Sequence, residues 1–282
     1  MASARAGFAL ITPASRGIGF ALTRQLLAHT DLPICATARK DCDVLHNKLV
    51  ESVDSKRDAA KRLTVFEVDV TDESSISELA SRLREQFRDI PLRLSLTIPG
   101  VLRVEKSPSQ VNYDDALESF KVNSLGPLLL MKHLNTFLPT KSAQSFSTEP
   151  FSPSTGGEKE DSPFKLPLHA IYAMMAARVG SISDNALGGW YSYRASKSAV
   201  FQLAKTFDLY LRTRSGNNAL AVALHPGTVR TNFTRDYWQA SRNVLGPDEA
   251  AVKLLQVLCK IPPGTNDGRG HCWDWKGEEV LP

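Results

Sequence analysis

Short apolar runs alternate with longer amphipathic stretches along this chain, and that alternation most narrows the folds open to it. Runs near 7–12, 33–38, 63–69, 92–98, 169–176, 219–225 and 270–275 read as strands. Stretches near 17–29, 41–53, 72–88, 112–138, 193–213 and 247–260 read as helices. The alternation predicts an α/β chain built on a doubly wound parallel sheet, with helices on both faces and three layers in all. No internal repeat is visible, and 282 residues suffice for one large domain. Helix 112–138 is expected to bend or break near Gly126-Pro127, because the proline withdraws a backbone donor. Residues 140–166, with six Ser, three Thr and three Pro, read as a disordered insert.

The first unit reads strand, turn, helix: Phe8-Ala9-Leu10-Ile11, then Thr12-Pro13-Ala14-Ser15-Arg16-Gly17-Ile18-Gly19, then Phe20 to Leu27. Backbone N–H groups of a glycine-containing turn that opens a helix can hold a pyrophosphate, and the helix dipole favours its charge. Near the other end, Tyr193 and Lys197 stand four apart on a helix and project from one face. A phenol titrates near pH ~10, and a nearby ammonium favours the phenolate, so the pair can work as a general acid or base. Tyr191 cannot take this place, since Ala195 stands four residues after it.

Together these motifs resemble the short-chain dehydrogenase/reductase family, a Rossmann-like fold, over nearly the whole chain. The turn Thr12 to Gly19 is similar to that family's Thr-Gly-x-x-x-Gly-x-Gly cofactor loop, and Tyr193 and Lys197 to its catalytic pair. Asn123, in Lys121-Val122-Asn123-Ser124, matches the family's helix asparagine, which holds a water beside the lysine; a capping or back-bonding asparagine is the alternative. Pro226-Gly227-Thr228-Val229-Arg230-Thr231 matches the Pro-Gly segment beside the nicotinamide. The run from Gly180 through Lys197 resembles the C-factor and sniffer-type carbonyl reductase branch. The resemblance implies that Tyr193, Lys197 and Asn123 carry the chemistry. It implies a cofactor site made by Thr12, Ser15, Arg16, Gly17, Ile18, Gly19, Arg39, Asp69, Gly100, Pro226, Gly227, Val229 and Thr231, with Tyr193 and Lys197.

The chain departs from the family pattern in three places. Pro13 stands where the loop's first glycine is expected, so the turn must differ there. Thr97-Ile98-Pro99-Gly100 replaces Asn-Asn-Ala-Gly, keeping only the glycine. Ala176 or Ala177 occupies the position of the serine that polarises the substrate, and Ser181 or Ser183 could reach the same spot from the next turn.

Cofactor choice is written after the second strand. An NAD site offers a carboxylate to the ribose 2′-hydroxyl, whereas an NADP site offers a cation to the 2′-phosphate. Here the residues are Ala38 and Arg39, with Arg16 able to converge on the same phosphate, so NADP(H) is expected; solvated surface charge is the plainer reading of Arg39 and Lys40. Asp69 resembles the family residue that bonds the adenine amine, and an Asp ending a strand is also a common turn former.

The predicted activity is hydride transfer between NADP(H) and a small-molecule carbonyl or secondary alcohol. The alternative is a catalytically weak or inactive cofactor-binding regulator of the same fold. Residues 232–246 read as a substrate lid, with Tyr237 and Trp238 as aromatic contacts. The net charge of +4 is spread without blocks, which argues against nucleic acid as the main partner. Cys35, Cys42, Cys259 and Cys272 lack metal-type spacing, so no metal is expected and the thiols read as reduced. No apolar stretch approaches a membrane span and no signal-peptide core is visible, so a cytoplasmic protein is expected. Apolar residues on helix 193–213 (Ala195, Ala199, Val200, Leu203, Ala204, Phe207 and Leu211) and on helix 112–138 (Leu128, Leu129, Leu134 and Leu138) predict a homodimer or homotetramer; the alternative is that they only face the sheet.

Overall fold

The structure, a computed structural model, describes residues 7–53, 58–146, 162–239, 243–264 and 268–282. Its strands are β1 (Phe8–Thr12), β2 (Ile34–Ala38), β3 (Leu63–Glu67), β4 (Leu92–Thr97), β5 (Ala170–Met175), β6 (Ala219–His225), β7 (Thr228–Val229), β8 (Val244–Leu245), β9 (Cys272–Asp274) and β10 (Glu279–Val280). Its α-helices are α1 (Gly17–His29), α2 (Cys42–Glu51), α3 (Ala59–Arg62), α4 (Glu73–Phe87), α5 (Tyr113–Phe120), α6 (Gly126–Leu134), α7 (Tyr191–Arg214) and α8 (Pro247–Lys260). Eight strands form one sheet in the order β10-β9-β6-β5-β4-β1-β2-β3, parallel throughout except for β10 at the edge. This is the single-domain, doubly wound, Rossmann-like sheet expected from the alternation.

Winding reverses between β1 and β4, whose last residues Thr12 and Thr97 are paired. Ligands of open α/β sheets bind beyond the carboxyl ends of the strands at such a reversal. The loops after β1, β4, β5 and β6 therefore surround one crevice.

Alternation along each strand separates two cores. In β1, Phe8 and Leu10 point to the face covered by α4, α6 and α7, where they join Leu79, Leu130, Val200 and Phe207. Ala9 and Ile11 point to the face covered by α1, α2 and α8, with Leu26, Leu49 and Leu254. A buried pair closes the first layer from below: the Arg269 guanidinium donates to both oxygens of Asp208 at 2.9 and 3.0 Å and to the Ala219 carbonyl at 2.9 Å.

The expected break in helix 112–138 takes the form of a π-turn, Lys121–Leu125, between α5 and α6. Two neighbours explain its place. Pro127 cannot donate to the helical ladder, and a Cβ on Gly126 would lie 3.0 Å from the Val70 carbonyl oxygen, so the glycine eases the close passage of the helix by the β3–α4 loop. The widened turn contains Asn123 and turns it inward.

The apolar residues assigned to a subunit interface divide. Val200, Ala204, Phe207 and Leu211 of α7, with Leu134 and Leu138, are buried in the core of this chain because their side of each helix faces the sheet. The large apolar side chains left exposed along α5 and α6 are Tyr113, Leu117, Phe120, Leu125 and, from the expected set, Leu128. In the segment expected to be disordered, residues 147–161 lie outside the described residues, but its flanks are packed: Phe146 and Phe164 are both buried. All four cysteines are free thiols. Among the described residues no helix is long and apolar enough to cross a membrane, and no cluster of His, Cys, Asp and Glu could hold a metal ion.

Candidate active site

Helix α7 begins directly above the carboxyl ends of β4 and β5 and delivers Tyr193 and Lys197 on successive turns, both buried. The Lys197 ammonium donates to the Met175 carbonyl at 2.8 Å, at the end of β5, and approaches the Pro99 carbonyl after β4 at 3.5 Å. Burial pushes its pKa down to about 8. The amine thus stays cationic at neutral pH with little to spare.

Around this pair the structure gathers residues remote in sequence. Asn123 accepts from Val101 N–H at 2.8 Å and donates to the Val101 carbonyl at 2.9 Å and to Ser196 Oγ at 3.0 Å. It neither caps nor back-bonds its own helix; it fastens the π-turn to the loop after β4 and to α7. The neighbouring Ser124 hydroxyl donates to the Ser196 carbonyl at 2.8 Å, so α5–α6 and α7 are held together at the height of Lys197. A Cβ on Gly100 would sit 3.8 Å from both Lys197 Nζ and Asn123 Oδ1, which places the glycine on the floor of the same crevice.

The loop Thr12 to Gly19 borders it. The Thr12–Pro13 peptide is cis, which is how the turn differs where the family carries glycine. Gly17 takes a left-handed φ of +58°, and a Cβ there would press on Thr231 at 3.2 Å. A Cβ on Gly19 would lie 2.1 Å from the Pro13 carbonyl oxygen, so the loop folds back on the helix it opens. Arg16 precedes α1 and makes no side-chain cap, leaving the first helical amides without that partner. The buried Thr12 hydroxyl has no hydrogen-bond partner. Arg16, in this loop, and Arg39 and Lys40, which follow β2, are exposed. Ser15 and Ile18 lie on the same loop, one exposed and one half-buried.

On the opposite side, Pro226 and Gly227 follow β6 with Gly227 at φ +74°, where the Trp275 indole would lie 2.6 Å from a Cβ. Val229 is buried in β7, and its pairing with β8 closes the base of segment 230–243. Thr231 begins the short helical turn Asn232–Tyr237. Asp69 stands apart: its Oδ1 accepts from the Thr71 N–H at 2.9 Å and hydroxyl at 2.7 Å, a turn-forming role that ends β3 two residues earlier than expected.

Both positions proposed for the family serine, Ala176 and Ala177, follow β5 as methyl side chains. Of the two substitutes, Ser183 spends its hydroxyl and its N–H on the Pro282 carbonyl, at 2.6 and 3.3 Å. Ser181 is buried and accepts from Asp184 N–H at 3.0 Å, which leaves its own proton to donate. Its turn packs hard on α7, since a Cβ on Gly180 would lie 2.6 Å from the Lys197 carbonyl carbon.

Among the described side chains of segment 232–246, Phe233 reaches Tyr193, at 6.2 Å between ring centres. Trp238 turns instead to Arg230, whose guanidinium lies 5.5 Å from its ring centre, and donates to Thr234 Oγ1 at 3.1 Å. Tyr237's side chain and residues 240–242 lie outside the described residues. Trp190 contacts Tyr193 edge-on from the other side at 6.1 Å. Phe233 stands in the sequence directly after Thr231-Asn232 and could have been found by its nearness to the Pro-Gly segment; Trp190 borders the Tyr193 motif itself.

Known proteins agree with this geometry. A family model described as short chain dehydrogenase matches residues 7–144. A 1-hydroxy-2-glutathionyl-2-methyl-3-butene dehydrogenase of Rhodococcus sp. (strain AD45) is 28% identical, over 93% of this chain and 95% of its own length. The solved carbonyl reductase Sniffer of D. melanogaster superposes with a TM-score of 0.76 at 21% identity, covering 98% of this chain and 99% of its own. An NADPH-bound carbonyl reductase from chicken fatty liver gives 0.76 at 24% identity, covering 99% and 100%. Sheet order, the loop after β1 and these matches make the chain similar to the short-chain dehydrogenase/reductase family, with the same Rossmann-like fold.

Proposed function

We propose that this chain is an NADP(H)-dependent oxidoreductase that moves hydride between the nicotinamide and a small carbonyl or secondary alcohol. The observation that carries the reading is the buried stretch of α7 that bears Tyr193 and Lys197, with Lys197 and Asn123 meeting at Gly100 and the lysine bonded to the end of β5. The residues present suit the cofactor: an orphaned Thr12 hydroxyl, a glycine cradle at Gly17 and Gly19, uncapped amides at the start of α1, and exposed cations at Arg16 and Arg39. The similar carbonyl reductase from chicken fatty liver, solved with NADPH bound, points the same way. Ser15, Ile18, Gly100, Pro226, Gly227, Val229 and Thr231 complete the cofactor site, and Asp69 serves the adenine with the oxygen not engaged by Thr71.

A nicotinamide bound there supplies or accepts the hydride. Tyr193 exchanges the proton of the substrate oxygen. Lys197, held by Met175, keeps a positive charge beside the phenol and steadies the ribose. Asn123 fixes the loop after β4 against α7 and organises the proton path. Segment 232–246 is the lid, and Phe233 its contact over Tyr193. The methyls of Ala176 and Ala177 lack an oxyanion donor, a loss worth ~10²–10³-fold in rate, so turnover is slow unless Ser181 donates.

The same methyls favour a second reading, a cofactor-binding regulator that does not turn over. NADPH consumption with a panel of aldehydes, ketones and quinones, set beside NADPH binding by calorimetry, decides between them. Turnover supports the oxidoreductase; tight binding with no turnover on any carbonyl supports the regulator. NADPH should bind more tightly than NADH, and Arg39→Ala should erase most of that preference. Equal dissociation constants for both cofactors in the wild type would remove the NADP assignment. The exposed stripe Tyr113, Leu117, Phe120, Leu125 and Leu128 supports a homodimer or a tetramer of dimers through α5 and α6.

A further inference from the structure

Near Tyr193 the structure buries a carboxylate with no obvious place in the chemistry: Glu105, on the loop after β4, is only 3% exposed. We propose that Glu105 is the positioning residue of Tyr193, supplying from a distant loop the N-terminal cap that α7 lacks. This rests on the assignment of Tyr193 as the proton-transferring group.

Helix α7 starts badly. Its N-cap, Trp190, adopts a left-handed conformation (φ 52°, ψ 46°) and makes no side-chain cap, and the first turn of any helix has amides without intrahelical acceptors. Glu105 meets that need. Its Oε2 accepts from Ser192 N–H at 2.8 Å, its Oε1 accepts from the Ser192 hydroxyl at 2.7 Å, and its backbone carbonyl accepts from Trp190 N–H at 2.6 Å. No ion pair involving Glu105 forms among the described residues. Its charge is balanced by these donors and by the positive end of the helix.

A buried carboxylate is an expensive acceptor. A Ser or Asp at the N-cap itself would satisfy the same amides locally, yet the acceptor comes from 87 residues away. What the long-range cap adds is registration. The loop bearing Glu105 also bears Val101, to which Asn123 is fastened, and it starts at Gly100 beside Lys197. Tyr193 is the residue after Ser192. Its turn is thus held from before by Glu105 and from behind by Asn123 through Ser196, with both clamps anchored on one loop.

The test compares Glu105→Ala, Glu105→Gln, Ser192→Ala and the Glu105→Ala/Ser192→Ala double variant in the full chain, with thermal melts to confirm folding. On the best carbonyl substrate, Glu105→Ala should lower kcat at least ~10-fold with NADPH affinity held within about twofold, as a displaced reacting group predicts. Glu105→Gln, which keeps one acceptor oxygen, should recover part of that loss, and the double variant should be no worse than Glu105→Ala. Hydrogen exchange over residues 190–193 should rise in Glu105→Ala whether or not the protein turns over. An unchanged kcat, a loss of kcat matched by an equal loss of NADPH affinity, or unchanged exchange would each overturn the role of Glu105. A wild type that binds NADPH without turnover would overturn the assignment of Tyr193 alone, with exchange still deciding whether Glu105 caps α7.

Discussion

Lys197 links activity to stability, because it carries a charge where water scarcely reaches. Burial lowers its pKa from 10.5 to about 8. Below pH 8 the folded protein bears the full penalty of the buried ammonium; between 8 and 10.5 the unfolded chain holds the extra proton, so the penalty fades as pH rises. Lys197→Met should therefore unfold later than the wild type at pH 7, by about 2 kcal/mol once the lost bond to Met175 is counted, and the gap should close toward pH 10.5. Denaturant melts of both proteins across that range check the prediction, and a gap that does not depend on pH would contradict it. Tyr193, Lys197 and Asn123 were readable from sequence because a four-residue spacing and a short helix motif encode them locally. Glu105 was not, since a lone acid in a loop gives no hint that it will bond a residue 87 positions on. Adjacency to the Pro-Gly segment marks the stretch that follows it but not the direction in which each aromatic turns: Trp238 meets Arg230, while Phe233 reaches Tyr193.

At the scale of elements, the strand–turn–helix opening is constrained more tightly than its motif suggests. Gly19 faces the Pro13 carbonyl so closely that any side chain must push α1 away from β1. Gly19→Ala should cost roughly 2–3 kcal/mol of stability and abolish NADPH binding; calorimetry and thermal melts check it, and normal binding would contradict the placement of this turn. Strand and helix positions were legible because each long element carries its own period. Edges were less so: β3 ends at Glu67 because Asp69 and Thr71 form a turn. The two-residue strands β7, β8 and β10 have too few residues for any alternation to appear, and only their pairing partners define them. The break at Gly126-Pro127 was readable as a break, but not its π form, nor the close approach of Gly126 to Val70 on another loop.

Across the whole molecule, two cores on either side of one sheet leave a stripe of exposed apolar side chains along α5 and α6 among the described residues. If a second copy covers it, light scattering at micromolar concentration should report twice the 31.0 kDa chain, about 62 kDa, or more. Leu117→Glu with Phe120→Glu should return the chain to monomer; a wild type that is monomeric from the outset would contradict the assembly. The sequence pattern marked these helices as interface candidates but mixed core residues such as Phe207 and Leu134 with surface ones, because apolar content alone does not tell which face meets the sheet. The site is likewise a property of the whole fold, since Gly100, Asn123, Met175 and Lys197 come from four elements. Its central claim is that Tyr193 transfers the proton. Steady-state NADPH oxidation by wild type and Tyr193→Phe on the same carbonyl, with NADPH affinity measured alongside, tests it most directly. Turnover should fall at least ~100-fold with affinity nearly unchanged; a Tyr193→Phe protein that turns over at the wild-type rate would contradict the account.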